Sequence, residues 1–348
     1  MPVKPNFLER AAFYSLNATP GSLLDLAGLF AYQAASTAND LGLFETLAER
    51  PYSAQGLATQ LQLQERGLLA LLDALESLGY VEVQNGRYQN SKMVQKWLIE
   101  DQNFDAQAMY LFWNAASRDL TPHTAEVIRS GERPFDFYDW VEADPDLSEA
   151  YQRMLMMNAK MGGADVIKHL KLPDGKTSLL DVGGGHGTYT TLMCQKYSQL
   201  HGTILDSYAG LETGRRMAAE KNLAARITLQ KGDMFKTDWG EGFDMILLFN
   251  VLHQFDIDMG ARLLKKAYHA LKPGGKVAVL DQITGKISGS ATNALIRLVA
   301  LQYYLFIDGR VFSQDDLTAM ANEVGFGGIQ FHKLQKLPGN SLMIGERG

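Results

Sequence analysis

Leu179–Gly187 reads LLDVGGGHG: an apolar run, an acid, then four glycines within five residues. Glycine costs about 0.5–1 kcal/mol in a regular element relative to alanine. Such a density marks a turn whose backbone lies bare beside a ligand, directly after a buried strand. The dinucleotide pattern G-x-G-x-x-G is not met, because Thr188 stands where its last glycine would fall. No Gly-Lys-Ser/Thr follows, so the phosphate-loop pattern is absent too. A phosphate is therefore not the ligand this turn suits best.

Outward from this stretch, the chain alternates. SLLDVG, GTILD, RITLQ, DMILLFN and KVAVLDQ read as strands, and segments such as GLETGRRMAAEKN and MGARLLKKAYHALKP read as helices between them. That order predicts an α/β domain over 173–348, with a doubly wound, mainly parallel sheet. Ligands of such sheets bind at the C-terminal strand ends. Asp206 ends the second strand, 19 residues past Gly187, where a carboxylate accepts from both hydroxyls of a ribose. Asp233 and Met234 follow the third strand in KGDMF. There an acid accepts from an adenine amino group and a methionine covers the ring. Either acid alone is also a common cap or turn former. Three such features at three successive strand ends favour a ligand.

The front of the chain differs. Residues 1–100 carry LLDLAGLFAYQAASTANDLGLFETLAE, broken at Gly42, then SAQGLATQLQLQERGLLALLDALESLG, with Ser53 as N-cap and Gly79 as stop. YVEVQNGRYQNS then alternates and turns at Asn85-Gly86, a strong hairpin signal. Three helices and a hairpin make the order of a winged helix. Nucleic-acid binding is not expected of it. Between Glu45 and Lys96 there are five basic and six acidic residues, and the chain's net charge is −6, whereas phosphate binding needs a basic footprint. The apolar helices suit a second subunit better.

Residues 101–172 form a helical middle rich in aromatics and methionine. Met154, Met157 and Met161 share one helix face by their spacing. They read either as core or as an adaptable apolar wall for a flat ligand. Trp113 and Asn158 are placed with them as candidate pocket residues. The single cysteine, Cys194, excludes an intrachain disulfide and reads as a buried thiol. The seven histidines show no metal-ligand spacing, so no metal is expected. No signal peptide or membrane span is read from the chain, and a cytoplasmic protein is expected.

LLDVGGGHG, GDMF, NVLHQFD and LKPGGKVAVLDQ together resemble the class I S-adenosylmethionine-dependent small-molecule O-methyltransferases that carry an N-terminal winged-helix dimerisation domain. The caffeic-acid, acetylserotonin and bacterial polyketide enzymes belong there. The resemblance covers nearly the whole chain. It implies a Rossmann-like seven-stranded sheet with a reversed last hairpin near 328–345, S-adenosylmethionine as cofactor and a homodimer. Asp181, Gly183, Gly185, Asp206, Asp233, Met234 and Asn250 then hold the cofactor. His253 matches the histidine that takes the acceptor's proton, a role open to an imidazole near neutral pH. Asp281 matches the acid that orients it. The chain departs from the family at its second acid: DGRVFSQDD puts Val311 in that place, with Asp308 three positions early. This leaves room for C- or N-methylation, or for a non-methylating relative that still binds the cofactor.

Overall fold

The computed structural model describes residues 6–16, 21–206, 208–284 and 289–348. Two compact units divide the chain, Met1–Trp113 and Asn114–Gly348. The boundary falls inside the helix Ala106–Asp119.

In the first unit, the long apolar pattern becomes the helices Gly21–Asp40 and Leu43–Glu49, separated at Gly42 as expected. Ala54–Leu61 follows, capped by Ser53, whose hydroxyl accepts from the Gly56 N–H at 3.1 Å. In Glu65–Ser77, Leu68, Leu72 and Leu75 recur on one face and are buried. That face packs with Phe44, Leu57 and Val81 in a single core. The opposite face of this helix is exposed and carries Glu65, Arg66, Leu69, Asp73 and Glu76, three acids to one base, which does not suit a nucleic-acid backbone. Strands β1 (Val81–Gln84) and β2 (Arg87–Asn90) close the unit as a hairpin. Asn85 and Gly86 both take positive φ, 52° and 70°, which a two-residue turn between twisted strands requires. Leu23, Leu26, Leu29 and Phe30 remain exposed along the first long helix. Beside them lies a groove of about 510 Å³, lined by Phe30, Ala34, Leu41, Leu63, Leu68 and Leu71 among others.

The second unit is built on one sheet. Its strands are β3 (Thr177–Val182), β4 (Leu200–Asp206), β5 (Ile227–Lys231), β6 (Phe243–Phe249), β7 (Leu271–Thr284), β8 (Phe312–Ser313), β9 (Phe326–Lys333) and β10 (Asn340–Arg347). The order is β5-β4-β3-β6-β7-β10-β9, with β8 paired beside the end of β7. β3 to β7 run parallel, and β10 is antiparallel to both β7 and β9. All five strands read from the sequence are present, and the reversed hairpin spans Phe326–Arg347.

Both faces of this sheet are covered, so its inner strands read as continuous apolar runs rather than alternations. Leu179, Met245 and Leu247 enter one core; Leu180, Ile246 and Leu248 enter the other. Cys194 is buried in the first core. The chain leaves β3 toward β4 and β5, then returns to β6 and β7 on the other side. The strand order therefore reverses between β3 and β6, the place at whose C-terminal strand ends ligands of such sheets bind. Among the described residues, no helix is long and apolar enough to cross a membrane.

Candidate active site

The glycine turn sits at the C-terminal end of β3. Gly183 has φ of 68°, and a Cβ there would lie 2.7 Å from Val251 Cγ2. Both the conformation and the close approach therefore demand a bare residue. The Met234 methyl also reaches this place, 3.7 Å from the same point. Gly185, likewise at positive φ, donates its N–H to Asp206 Oδ2 at 2.7 Å. The end of β4 is thus bound to the turn after β3, and Asp206 stands half-buried, its Oδ1 beside Gly210 of the helix that follows.

Asp181 is the most confined acid here. It is 1% exposed, its Oδ2 accepts from the Thr190 hydroxyl at 2.7 Å, and its Oδ1 has no hydrogen-bond partner. Burial pushes its carboxyl up to about 7, the nearby Asp206 charge adds to this, and the Thr190 hydroxyl opposes it. An orphaned buried oxygen is costly, and a cationic ligand would relieve it. His186, inside the same turn, is pushed down to about 4 by burial and by Lys160. Its Nδ1 accepts from the Thr188 N–H at 3.2 Å, which leaves the ring proton on Nε2.

Asp233 is exposed and shapes the loop after β5, its Oδ1 accepting from the Phe235 and Lys236 N–H groups at 2.7 and 3.2 Å. The Phe235 bond foremost holds its carboxyl below the usual range. Turn-forming is therefore real at Asp233, and Oδ2, 3.7 Å from Lys236 Nζ, faces outward. Asn250 extends β6: its N–H donates to Leu280 of β7 at 2.7 Å, and it adopts a left-handed φ of 55°.

His253 lies in the short turn after β6 and is 8% exposed. Its Nδ1 is 2.8 Å from Asp281 Oδ1, and its backbone N–H donates to Asp281 Oδ2 at 3.2 Å. Asp281, near the end of β7, also accepts from the Gln282 N–H at 2.9 Å. A carboxylate can only accept, so it fixes the proton on Nδ1 and leaves Nε2 with a free lone pair. Val251, two residues earlier, packs against Gly183, so the glycine turn and the turn that carries His253 are neighbours. Neither Val311 nor Asp308 supplies a second acid. Asp308 caps the helix Ser290–Ile307, is exposed, and pairs with Arg133 at 2.9 Å.

The methionine face lies on the helix Pro145–Ile167, where Met154, Met157 and Met161 are half-buried and Asn158 is exposed. Trp113 belongs to the first unit, its ring edge-on to Phe112 at 5.4 Å. Several contributors carried no sequence signal. Thr190, His186, Tyr303 and Gln282 fall outside any spacing rule. Tyr138, whose hydroxyl donates to Gln254 Oε1 at 2.6 Å, comes from a short helix, Phe137–Glu142.

The sequence pattern of the O-methyltransferase domain matches residues 129–327, and that of the O-methyltransferase dimerisation domain matches 24–100. The chain belongs to the O-methyltransferase family. The family's methyl donor is S-adenosylmethionine, and this member is an S-adenosylmethionine-dependent methyltransferase. Mitomycin biosynthesis 6-O-methyltransferase of Streptomyces lavendulae is 25% identical over 86% of this chain and 86% of its own length. L-tyrosine C(3)-methyltransferase of the same organism is 23% identical over 89% of this chain and 87% of its own. Human N-acetylserotonin methyltransferase in complex with SAM shares the fold, with a TM-score of 0.81 at 21% identity, covering 99% of this chain and all of that one. The orphaned Asp181 oxygen, the bare turn at Gly183 and the acid ending β4 suit this cofactor's cationic, amino-acid and ribose parts.

Proposed function

We propose that this methyltransferase moves a methyl group to a hydroxyl of a small aromatic or polyketide-like acceptor, with His253 as general base. The observation that carries this reading is the imidazole held through Nδ1 by Asp281, with Nε2 free, at the strand end beside the glycine turn. S-adenosylmethionine supplies a methyl already activated on a sulfonium. What remains for the chain is to align the acceptor and take its proton. His253 Nε2 accepts the hydroxyl proton, and Asp281 stabilises the imidazolium that forms. Asp181, Gly183, Gly185, Asp206, Asp233, Met234 and Asn250 are the proposed cofactor residues.

Support for an aromatic acceptor comes from the second unit's own aromatic cluster. Phe137 meets Trp140, Tyr151 and Phe306 at 5.8, 5.6 and 6.1 Å. Tyr138 ties that cluster to the His253 turn through Gln254. Met154, Met157 and Met161 offer a polarizable wall from the neighbouring helix.

A second reading is methylation of ring carbon. Val311 in place of an acid favours it, and so does the likeness to a tyrosine C(3)-methyltransferase. The same proton removal from a phenol makes the carbon beside the hydroxyl nucleophilic, so His253 serves either outcome. Incubation with methyl-labelled S-adenosylmethionine and a panel of phenolic, quinol and polyketide acceptors, read by mass spectrometry, tests the function. Labelled product is expected; bound donor with no labelled product from any class contradicts the acceptor assignment.

A homodimer is part of this proposal, supported by the dimerisation-domain match and by the exposed Leu23, Leu26, Leu29 and Phe30 stripe beside an apolar groove. Sedimentation at micromolar concentration is expected to give twice the 38.5 kDa chain mass. A monomer there would contradict it.

A further inference from the structure

Tyr303 lies flat on His253. The ring centroids are 4.1 Å apart and the planes differ by 6°. Tyr303 is fixed in that place by its hydroxyl, which donates to Gln282 Oε1 at 2.5 Å. Gln282 in turn donates its backbone N–H to Asp281, and its side-chain amide to Asn340 Oδ1 at 3.2 Å. The same helix, Ser290–Ile307, is clamped to the histidine's backbone just beyond its end. Arg310 N–H donates to the His253 carbonyl at 2.7 Å, and a Cβ on Gly309 would fall 2.3 Å from that oxygen. One face of the imidazole is therefore covered by a ring that the structure holds at both ends.

We propose that Tyr303 is a positioning residue for His253, its ring holding the imidazole in plane and favouring the imidazolium that forms when the acceptor's proton is taken. A parallel π face beside a cation is attractive, more so away from water. Tyr303 is not itself the base. Burial, with Asp281 and Tyr151 nearby, holds its phenol well above the ordinary range. The groups against the imidazole are Asp281 from β7 and Tyr303 from the helix Ser290–Ile307; Tyr151 from Pro145–Ile167 lies near Tyr303. Tyr138 acts at one remove through Gln254, and Asp308 is occupied by Arg133. With Val311 in the loop, the second support of the ring is aromatic rather than acidic.

This proposal rests on His253 acting as base, and its test is chosen to be readable without turnover. Tyr303→Phe keeps the face and loses the hydroxyl; Tyr303→Met fills similar volume with no ring. Histidine-labelled protein, saturated with S-adenosylmethionine, is titrated by NMR for all three forms. The midpoint of the His253 ring signals is expected about 0.5–1 pH unit lower in Tyr303→Met, and near wild type in Tyr303→Phe. With an acceptor from the panel, Tyr303→Met is expected to turn over about 3- to 10-fold more slowly, its acid limb moved the same way, with donor affinity unchanged. A purely structural role lowers the rate without moving the limb. An unmoved midpoint in Tyr303→Met, or a Tyr303→Phe that shifts as far, overturns the proposal. Absence of methyl transfer by the wild type would instead count against the base assignment, leaving the titration to judge the stack.

Discussion

The two halves of the proposed site are made differently. The half proposed for the cofactor is built around a backbone turn, Gly183–Gly187, with the Asp206 carboxylate held by the Gly185 N–H and the buried Asp181 beneath it with an orphaned oxygen. Most of its parts crowd into Leu179–Gly187 and the end of β4, with Asp233, Met234 and Asn250 added from the ends of β5 and β6. The half proposed for catalysis is made by side chains brought from the turn after β6, from β7 and from the helix Ser290–Ile307, 28 residues apart in the His253–Asp281 pair and 21 in the Gln282–Tyr303 pair. A backbone site tolerates little change, since each glycine there answers a steric demand. A side-chain site can draw its supports from several elements, and here the imidazole meets a carboxylate from β7 at one edge and a tyrosine ring on one face.

This contrast can be broken by mutation. The largest effect is expected at His253. His253→Ala should lower turnover about 10²–10⁴-fold and leave S-adenosylmethionine affinity nearly unchanged, since the cofactor half does not use the imidazole. Steady-state rates with calorimetric affinities on the same preparation check it. Near wild-type turnover at neutral pH would remove the general base. Asp281→Asn should act in the same direction and less strongly, because the ring remains but loses its orienting acceptor.

The converse pattern is expected at Asp206. Asp206→Ala should weaken donor binding at least about tenfold, as the loss of about 1.5–3 kcal/mol of hydrogen bonding to a charged group implies. An unchanged dissociation constant in calorimetry would take Asp206 out of the site.

A smaller effect sharpens the role of Asp181. Its carboxyl is raised to about 7 by burial, so near neutrality it is partly protonated in the free protein. A cationic ligand favours the ionised form, so binding releases a proton. Donor affinity should therefore tighten as pH rises from about 6 to 8 and then level off. For folding the sign is opposite: protonation in the native state stabilises below the raised value, and this contribution is lost as pH rises through it. His186 is pushed down to about 4 and does not titrate in this window. Calorimetry across the pH series, with Asp181→Asn giving a flat line, checks the assignment; a slope that survives the substitution contradicts it.

The sheet was legible because buried parallel strands leave continuous apolar runs such as DMILLFN, and because β-strand ends carry acids and glycines that packing alone does not call for. The hairpin was legible from Asn85-Gly86, and the helix start from Ser53. Tyr303 was not legible: in LIRLVALQYYLFI an aromatic reads as core, and nothing local shows that it will meet a histidine 50 residues earlier. Thr190 was hidden for the same reason, since its partner Asp181 is set by the strand–turn–helix geometry. Asp233 shows a limit of another kind. Its turn-forming bonds and its proposed ligand role use different oxygens, so the two readings of an acid in a loop are not exclusive.

The central claim, that a proton is taken by His253 so that an acceptor oxygen can receive the methyl, is tested most directly by locating the transferred label. Wild type and His253→Ala are incubated with methyl-labelled S-adenosylmethionine and the responding acceptor, and the product is solved by NMR. Label on oxygen from the wild type, with little or none from the variant at neutral pH, is the result expected. Label on carbon, or equal label on oxygen from both proteins, would contradict it.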